Sequence, residues 1–305
     1  MIGCLFAGFS TAQAQANKPA DDARLGANRL FQLGLYEQAI KSYAAFLKKW
    51  PTDPKAIDVQ YGMGAGHFQL KQYDKAEAVM GKVVGNPKCP DKPRANFIWG
   101  QSLLMLRKPA NAEGAFDIGI KALPAPKTPA DVALLANLNE MRLEALYQQK
   151  KWKDVVTAAA ALKGKGGNRS TRVSFQGAFA LYQMKPYPEA GATFTALKPS
   201  VKGTKLQQQT HFLLGECLRK QNKFPEAIQE FGVAAGLEGD DAPEALFRMG
   251  ILQFNLKDFK AAAKHFDDFR VKFKDQVMPE QFQDARIFLG RAQVELKQFK
   301  LAEKV

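Results

Sequence analysis

Histidine, cysteine and tryptophan each occur only three times in 305 residues. His67, His211 and His265 lie far apart, with no second ligand three or four residues on. Zinc needs three or four converging ligands, so no metal or other cofactor is expected, and each histidine reads as a packed or surface side chain. A nucleophilic site would pair a Ser or Cys with a nearby histidine in a recognisable motif, and none occurs. The Gly164–Gly167 stretch departs from a phosphate loop and follows a helical pattern rather than a strand, so it reads as a flexible turn. Paired acids such as Asp240 with Asp241 and Asp267 with Asp268 fit a solvated loop and a solvated helix face. Catalysis is therefore not expected.

Other scarcities narrow the class further. There is no run of five like charges, which argues against a nucleic-acid-binding or membrane-docking tail. Beyond the N-terminus no apolar stretch approaches the length of a membrane span. Alternating β-branched runs are scarce. Of the three cysteines, Cys89 and Cys217 fall about three and a half repeats apart, too far for a bridge between stacked helices, and both are expected to be free thiols.

What is present is helical. Ala, Leu, Lys, Gln and Glu dominate, and a hydrophobic fraction of 46% allows a sizeable core. The net charge of +14 lies wholly outside residues 1–16. A basic balance suits anionic partners, an acidic protein among them, while its spread over the whole chain suits simple solubility.

At the N-terminus, Ile2, Leu5, Phe6, Ala7 and Phe9 form a short apolar stretch. Ala12, Ala14 and Ala16 follow with the spacing of a signal-peptidase site. Residues 1–16 are read as the remnant of an export signal, which places the protein outside the cytoplasm: periplasmic, or alternatively associated with the outer membrane. A lipid-anchor reading of Cys4 ranks second. Membrane association is expected only through a partner or such a lipid.

Residues 17–305 are organised as a repeat. An aromatic followed three residues later by alanine recurs at Tyr36/Ala39, Tyr73/Ala76, Tyr187/Ala190, Phe224/Ala227, Phe259/Ala262 and Phe299/Ala302, with weaker copies at Pro109/Ala112 and Trp152/Val155. Twelve residues before the motif's end stands a small residue: Ala27, Gly64, Gly100, Ala178, Gly215, Gly250 or Gly290. Four residues after it stands a bulky one: Tyr43, Met80, Phe116, Phe194, Phe231 or Phe266. The fourth copy departs at both places, with Leu143 and Ala159. Each unit reads as helix A, a tight turn and helix B, the small residue allowing close approach of helix B. One such hairpin cannot bury its apolar stripe alone, so the units must stack. The fourth unit and the glycines near 160–170 suggest a seam. The eighth unit stops inside helix B, so the last repeat reads as incomplete.

At these residues the sequence resembles the tetratricopeptide repeat family, and in particular bacterial exported members. The resemblance implies an all-α, right-handed superhelical α-solenoid of about eight antiparallel hairpins, with a concave groove lined by the A helices. It also implies a non-catalytic scaffold that binds a helix or extended peptide of another protein, in bacterial envelope assembly or cell-wall machinery. Within that likeness the groove candidates are Tyr61, Phe97, Phe175, Phe212, Phe247 and Tyr182, with Arg24 and Arg94. Some family members clamp a C-terminal carboxylate; Arg24, Asn28 and Arg94 match three of the five clamp positions, but Gly62 and Ile98 break the others. Two alternatives stand beside the scaffold: an interaction segment of a larger multidomain chain, and a cell-wall glycan module. For the latter, Glu140 with Glu144, on one helix face, are the only candidate carboxylate pair.

Overall fold

The computed structural model describes residues 18–162 and 167–304, with the backbone alone at 167–170. The export-signal residues, Cys4 and most of the glycine-rich turn lie outside the described residues. Sixteen helices are described: α1 (Lys18–Gln32), α2 (Tyr36–Lys49), α3 (Ala56–Gln69), α4 (Tyr73–Gly85), α5 (Lys92–Met105), α6 (Pro109–Lys121), α7 (Pro129–Gln148), α8 (Trp152–Leu162), α9 (Gly167–Met184), α10 (Tyr187–Val201), α11 (Leu206–Lys220), α12 (Phe224–Ala235), α13 (Ala242–Asn255), α14 (Phe259–Lys272), α15 (Pro279–Glu295) and α16 (Phe299–Ala302). No strand is present among the described residues. Among the described residues the protein is all-helical, its helices following one another in pairs. Odd-numbered helices are the A helices and even-numbered ones the B helices.

The chain divides into two compact units, one ending at Lys151 and the other beginning at Trp152. The fourth A helix, α7, belongs to the first unit, and its sequence partner α8 to the second. Within each unit every helix packs chiefly on the helix before it and the one after it. Stacking of this kind buries a continuous core from short-range contacts alone.

The repeat motif explains the packing. The motif alanines Ala39, Ala76, Ala112, Ala190, Ala227 and Ala262 are fully buried. The small residue of helix A faces the bulky residue of its own helix B. A Cβ placed on Gly100 would lie 2.5 Å from the Phe116 ring, and one on Gly215 or Gly250 would lie 2.8 Å from Phe231 or Phe266. Such distances are below van der Waals contact, so the ring fills the volume that a side chain on helix A would need. The motif aromatic closes the turn end instead. Tyr36 meets Phe31 at 5.2 Å, Tyr73 meets Phe68 at 5.8 Å, Tyr187 meets Tyr182 at 5.8 Å and Phe259 meets Phe254 at 5.3 Å, all edge to face. These pairs sit within one hairpin. They fasten the A–B turn.

The turns share one construction. The residue five before the motif's end has positive φ in every hairpin: Gly34, Lys71, Arg107, Lys150, Lys185, Asn222, Lys257 and Lys297. The following amide usually bonds back to a carbonyl five residues earlier, as Gln72 N–H does to His67 O and Lys108 N–H to Leu103 O, each at 2.9 Å. This closure ends a helix on a left-handed residue and satisfies its last carbonyls. At Lys185 the next residue is Pro186, which has no N–H to offer. Prolines also start helices, at Pro109, Pro129 and Pro279, where the missing amide proton is harmless. Thr128 and Asp131 form a reciprocal capping box at the start of α7.

Both Cys89 and Cys217 are free thiols. Cys217 is fully buried, and that burial, with the neighbouring Glu216 charge, pushes its pKa up to about 12. Cys89 is half-buried and raised chiefly by burial as well. The thiolate is the reactive form. Alkylation by iodoacetamide at pH 8, followed by peptide mass spectrometry, is therefore expected to label Cys89 several-fold faster than Cys217 in the folded protein. Equal labelling rates would mean that α11 opens far more readily than its packing implies.

Candidate partner-binding face

The candidate residues occupy the A helices, and each unit presents its own set. In the first unit Arg24 is on α1, Tyr61 on α3 and Arg94 and Phe97 on α5. Tyr61 is half-buried, and burial raises its phenol pKa to about 12, with Asp91 adding to the rise. Phe97 packs against the cluster of Leu103, Phe116 and Leu138. Arg24 pairs with Asp21 at 3.1 Å. Arg94 pairs at 2.9 Å with Asp91, the residue that caps α5 through Arg94 N–H. Asn28 accepts a hydrogen bond of 2.8 Å from the Tyr43 hydroxyl. The three residues that match the carboxylate clamp thus each have an internal partner. Gly62, one of the two breaks, has no room for a clamp side chain, because a Cβ there would lie 2.7 Å from the Tyr43 ring.

In the second unit Phe175 and Tyr182 are on α9, Phe212 on α11 and Phe247 on α13. Phe175 is only 7% exposed and meets Phe194 edge-on at 5.9 Å. Phe212 meets Phe231 at 5.7 Å. Phe247 touches three rings: Phe266 at 5.7 Å, Phe269 at 5.6 Å and Phe288 at 6.3 Å. Tyr182 lies between Phe179 and Tyr187, and burial raises its pKa. Phe175, Tyr182 and Phe212 thus meet rings of their own hairpin, and Phe247 also reaches Phe288 of the next.

No sequence pattern points to the polar cluster beside them. Glu216 on α11 is 5% exposed. Arg219 grips it with two bonds, Nε to Oε1 at 2.9 Å and Nη2 to Oε2 at 2.7 Å. These bonds raise the Arg219 pKa further. Arg248 of α13 pairs with Glu244 at 2.8 Å and approaches Glu216 at 3.8 Å. A buried carboxylate is tolerable only with such bidentate compensation. Beside it opens a cavity of about 350 Å³ lined by Arg219, Lys220, Asn222, Phe224, Arg248 and Asn255, with Ile251 and Leu252. An i, i+3 acid–base pair on a helix is too common a pattern to single out in a sequence, so only the packing of α13 reveals this one.

The histidines have local partners. His67 bonds Gln72 at 2.7 Å, His211 bonds Glu230 at 2.6 Å and His265 bonds Gln253 at 2.5 Å. Glu230 also takes Lys198 at 2.6 Å. Burial lowers the His265 pKa. Among the described residues no group of three or more His, Cys, Asp or Glu is placed to hold a metal ion. No described helix is long and apolar enough to cross a membrane. Glu140 is half-buried on α7, and Glu144 accepts a 2.8 Å bond from Gln148 on the same helix.

Comparison with known proteins agrees with the repeat. The family model described as tetratricopeptide repeat matches residues 24–87 in the first unit and 213–277 in the second. Among solved structures, the apo form of RapI is similar at a TM-score of 0.62 and 14% identity, over 92% of this chain and 85% of that one. The C-terminal part of a repeat protein from Cytophaga hutchinsonii gives 0.62 at 11% identity, over 85% and 98%. A tetratricopeptide repeat protein from Parabacteroides merdae gives 0.52 at 11% identity, over 87% and 98%. Compared by sequence with curated proteins, the chain has no match. Over residues 24–87 and 213–277, then, the chain matches the tetratricopeptide repeat family, and over most of its length it shares the fold of solved members.

Proposed function

We propose that this chain is a non-catalytic scaffold which holds a helix or extended segment of another protein against the A-helix faces of its hairpins. The observation that carries this reading is the repeated placement of half-buried aromatics on successive A helices: Tyr61 and Phe97 in one unit, Tyr182, Phe212 and Phe247 in the other. Aromatic edges at a surface give a large contact area for little lost side-chain entropy. The family match and the fold likeness support it. An exported, periplasmic location and a role in envelope assembly or cell-wall machinery complete the proposal, resting on the apolar residues and small-residue spacing of residues 1–16.

Site-specific photocrosslinking tests the face. A photoreactive phenylalanine at position 61 or 97 is expected to trap one discrete partner from envelope extract. The same group at exposed Lys75 on helix B should trap none. Substituting Tyr61→Ala should weaken capture of that partner about tenfold or more, as loss of an interface anchor does. Equal crosslinking from both helix faces, or capture unchanged in Tyr61→Ala, would defeat the reading.

A further inference from the structure

The A–B turns carry a feature that neither the core nor the aromatic face requires. Of the eight left-handed turn residues, six are cations: Lys71, Arg107, Lys150, Lys185, Lys257 and Lys297. Positive φ is natural for glycine and strained for a residue with a Cβ. All six side chains are exposed, and none forms an ion pair among the described residues. A basic residue near a helix C-terminus is favoured by the helix dipole. That benefit is equally available one or two residues earlier, where no strain arises. The dipole therefore does not explain why the charge stands at the strained position in six turns of eight.

The second unit adds an independent observation. The cavity beside Glu216 opens at the same edge, and Lys220, Asn222, Arg219 and Arg248 line it. Asn222 is itself the left-handed residue of its turn. Lys220 forms no ion pair among the described residues. Glu216 and Glu244 compensate Arg219 and Arg248, and Asp258 caps α14 through Ala261 N–H, so the unpaired charge of this edge is that of Lys185, Lys220, Lys257 and Lys297. With the Arg219 fork held by Glu216, the Lys220 ammonium and the Asn222 amide beside the apolar Ile251 and Leu252 suit a carboxylate on an aliphatic stem. Among the described residues of this edge there is no row of exposed aromatic rings of the kind that stack bases.

We infer that the A–B turn edge of the second unit, formed by Lys185, Lys257, Lys297 and the Arg219–Lys220–Arg248 cavity, binds an extended acidic protein segment. Successive A helices pack on the order of 10 Å apart, and an extended chain advances about 3.3 Å per residue. The matching segment therefore carries a carboxylate at about every third residue. This extends the scaffold proposal but uses a different surface from its aromatic face.

The turn chemistry supplies a test that does not endanger the fold. The triple variant Lys185→Gly, Lys257→Gly, Lys297→Gly removes three charges and relieves three strained turns. Its urea midpoint should equal or exceed that of the parent. The probe is a fluorescein-labelled peptide of five Glu-Gly-Ser units, titrated with the full chain and followed by anisotropy at low salt. The parent should bind it. The glycine triple variant should bind about tenfold more weakly, in line with the loss of three exposed charge pairs, whereas a Lys→Arg triple variant should bind like the parent. Tyr61→Ala should leave this binding unchanged, so failure here and failure of the aromatic face are separable. Absence of binding to the peptide, unchanged binding by the glycine variant, or tighter binding of a fifteen-residue oligo-dT or of phosphatidylglycerol vesicles would overturn the inference.

Discussion

Replacing Phe266 by alanine is expected to destabilise the second unit by about 3–5 kcal/mol, the range for emptying a fully enclosed aromatic site. Phe266 has no exposed surface. Its ring stacks on Phe288 of α15 at 5.4 Å and 17°, meets Phe247 of α13 at 5.7 Å, and stands where a Gly250 side chain would be. One side chain on α14 thus joins three helices, and the gap left by its removal cannot collapse without moving all of them. Phe299→Ala, at a residue 57% exposed, should change stability by no more than about 0.5 kcal/mol. Urea denaturation followed by circular dichroism reads both. A loss below about 1 kcal/mol for Phe266→Ala would mean that the hairpins are not joined through this ring.

The second large effect turns on sign. Gly100 and Gly114 stand on the two helices of one hairpin, and a sequence shows only two helical glycines. A Cβ at Gly100 would collide with Phe116, whereas one at Gly114, exposed on α6, meets nothing within 4 Å. Gly100→Ala should therefore destabilise by about 1–3 kcal/mol, the usual range for overpacking. Gly114→Ala should stabilise by about 0.5–1 kcal/mol, because alanine loses less backbone freedom than glycine in a helix. If the collision is the cause, Phe116→Leu should recover part of the Gly100→Ala loss, and the double variant should fall short of the sum by about 1 kcal/mol. Strict additivity would show that the two positions do not share one volume.

These contrasts bear on the aromatic face. Phe175 and Phe247 were chosen from the sequence as partner-binding residues, and both take part in the packing between helices. Truncating either would loosen the stack as well as the face, so loss of binding from such a variant would not by itself locate a partner. Tyr61, Phe97 and Tyr182 are half-buried where Phe175 is buried, and charges at the turn edge can be removed without disturbing any core.

The sequence by itself determined the repeat. The aromatic-to-alanine motif, the small residue before it and the bulky residue after it placed the hairpins and named the two sides of the closest contact. They could do so because packing in such a stack is local: each volume is shared by residues sixteen apart in the chain. The histidines, too, could be read as packed or surface side chains, and each bonds a nearby side chain. Tertiary structure decided what depends on a third helix. It showed that the motif aromatic fastens its own turn, that Phe247 touches rings from α14 and α15, and that Glu216 lies buried under Arg219 beside Arg248 of the next hairpin. It also showed that the lysines five residues before the motif's end adopt positive φ. That conformation belongs to the backbone, and a lysine in a sequence does not announce it.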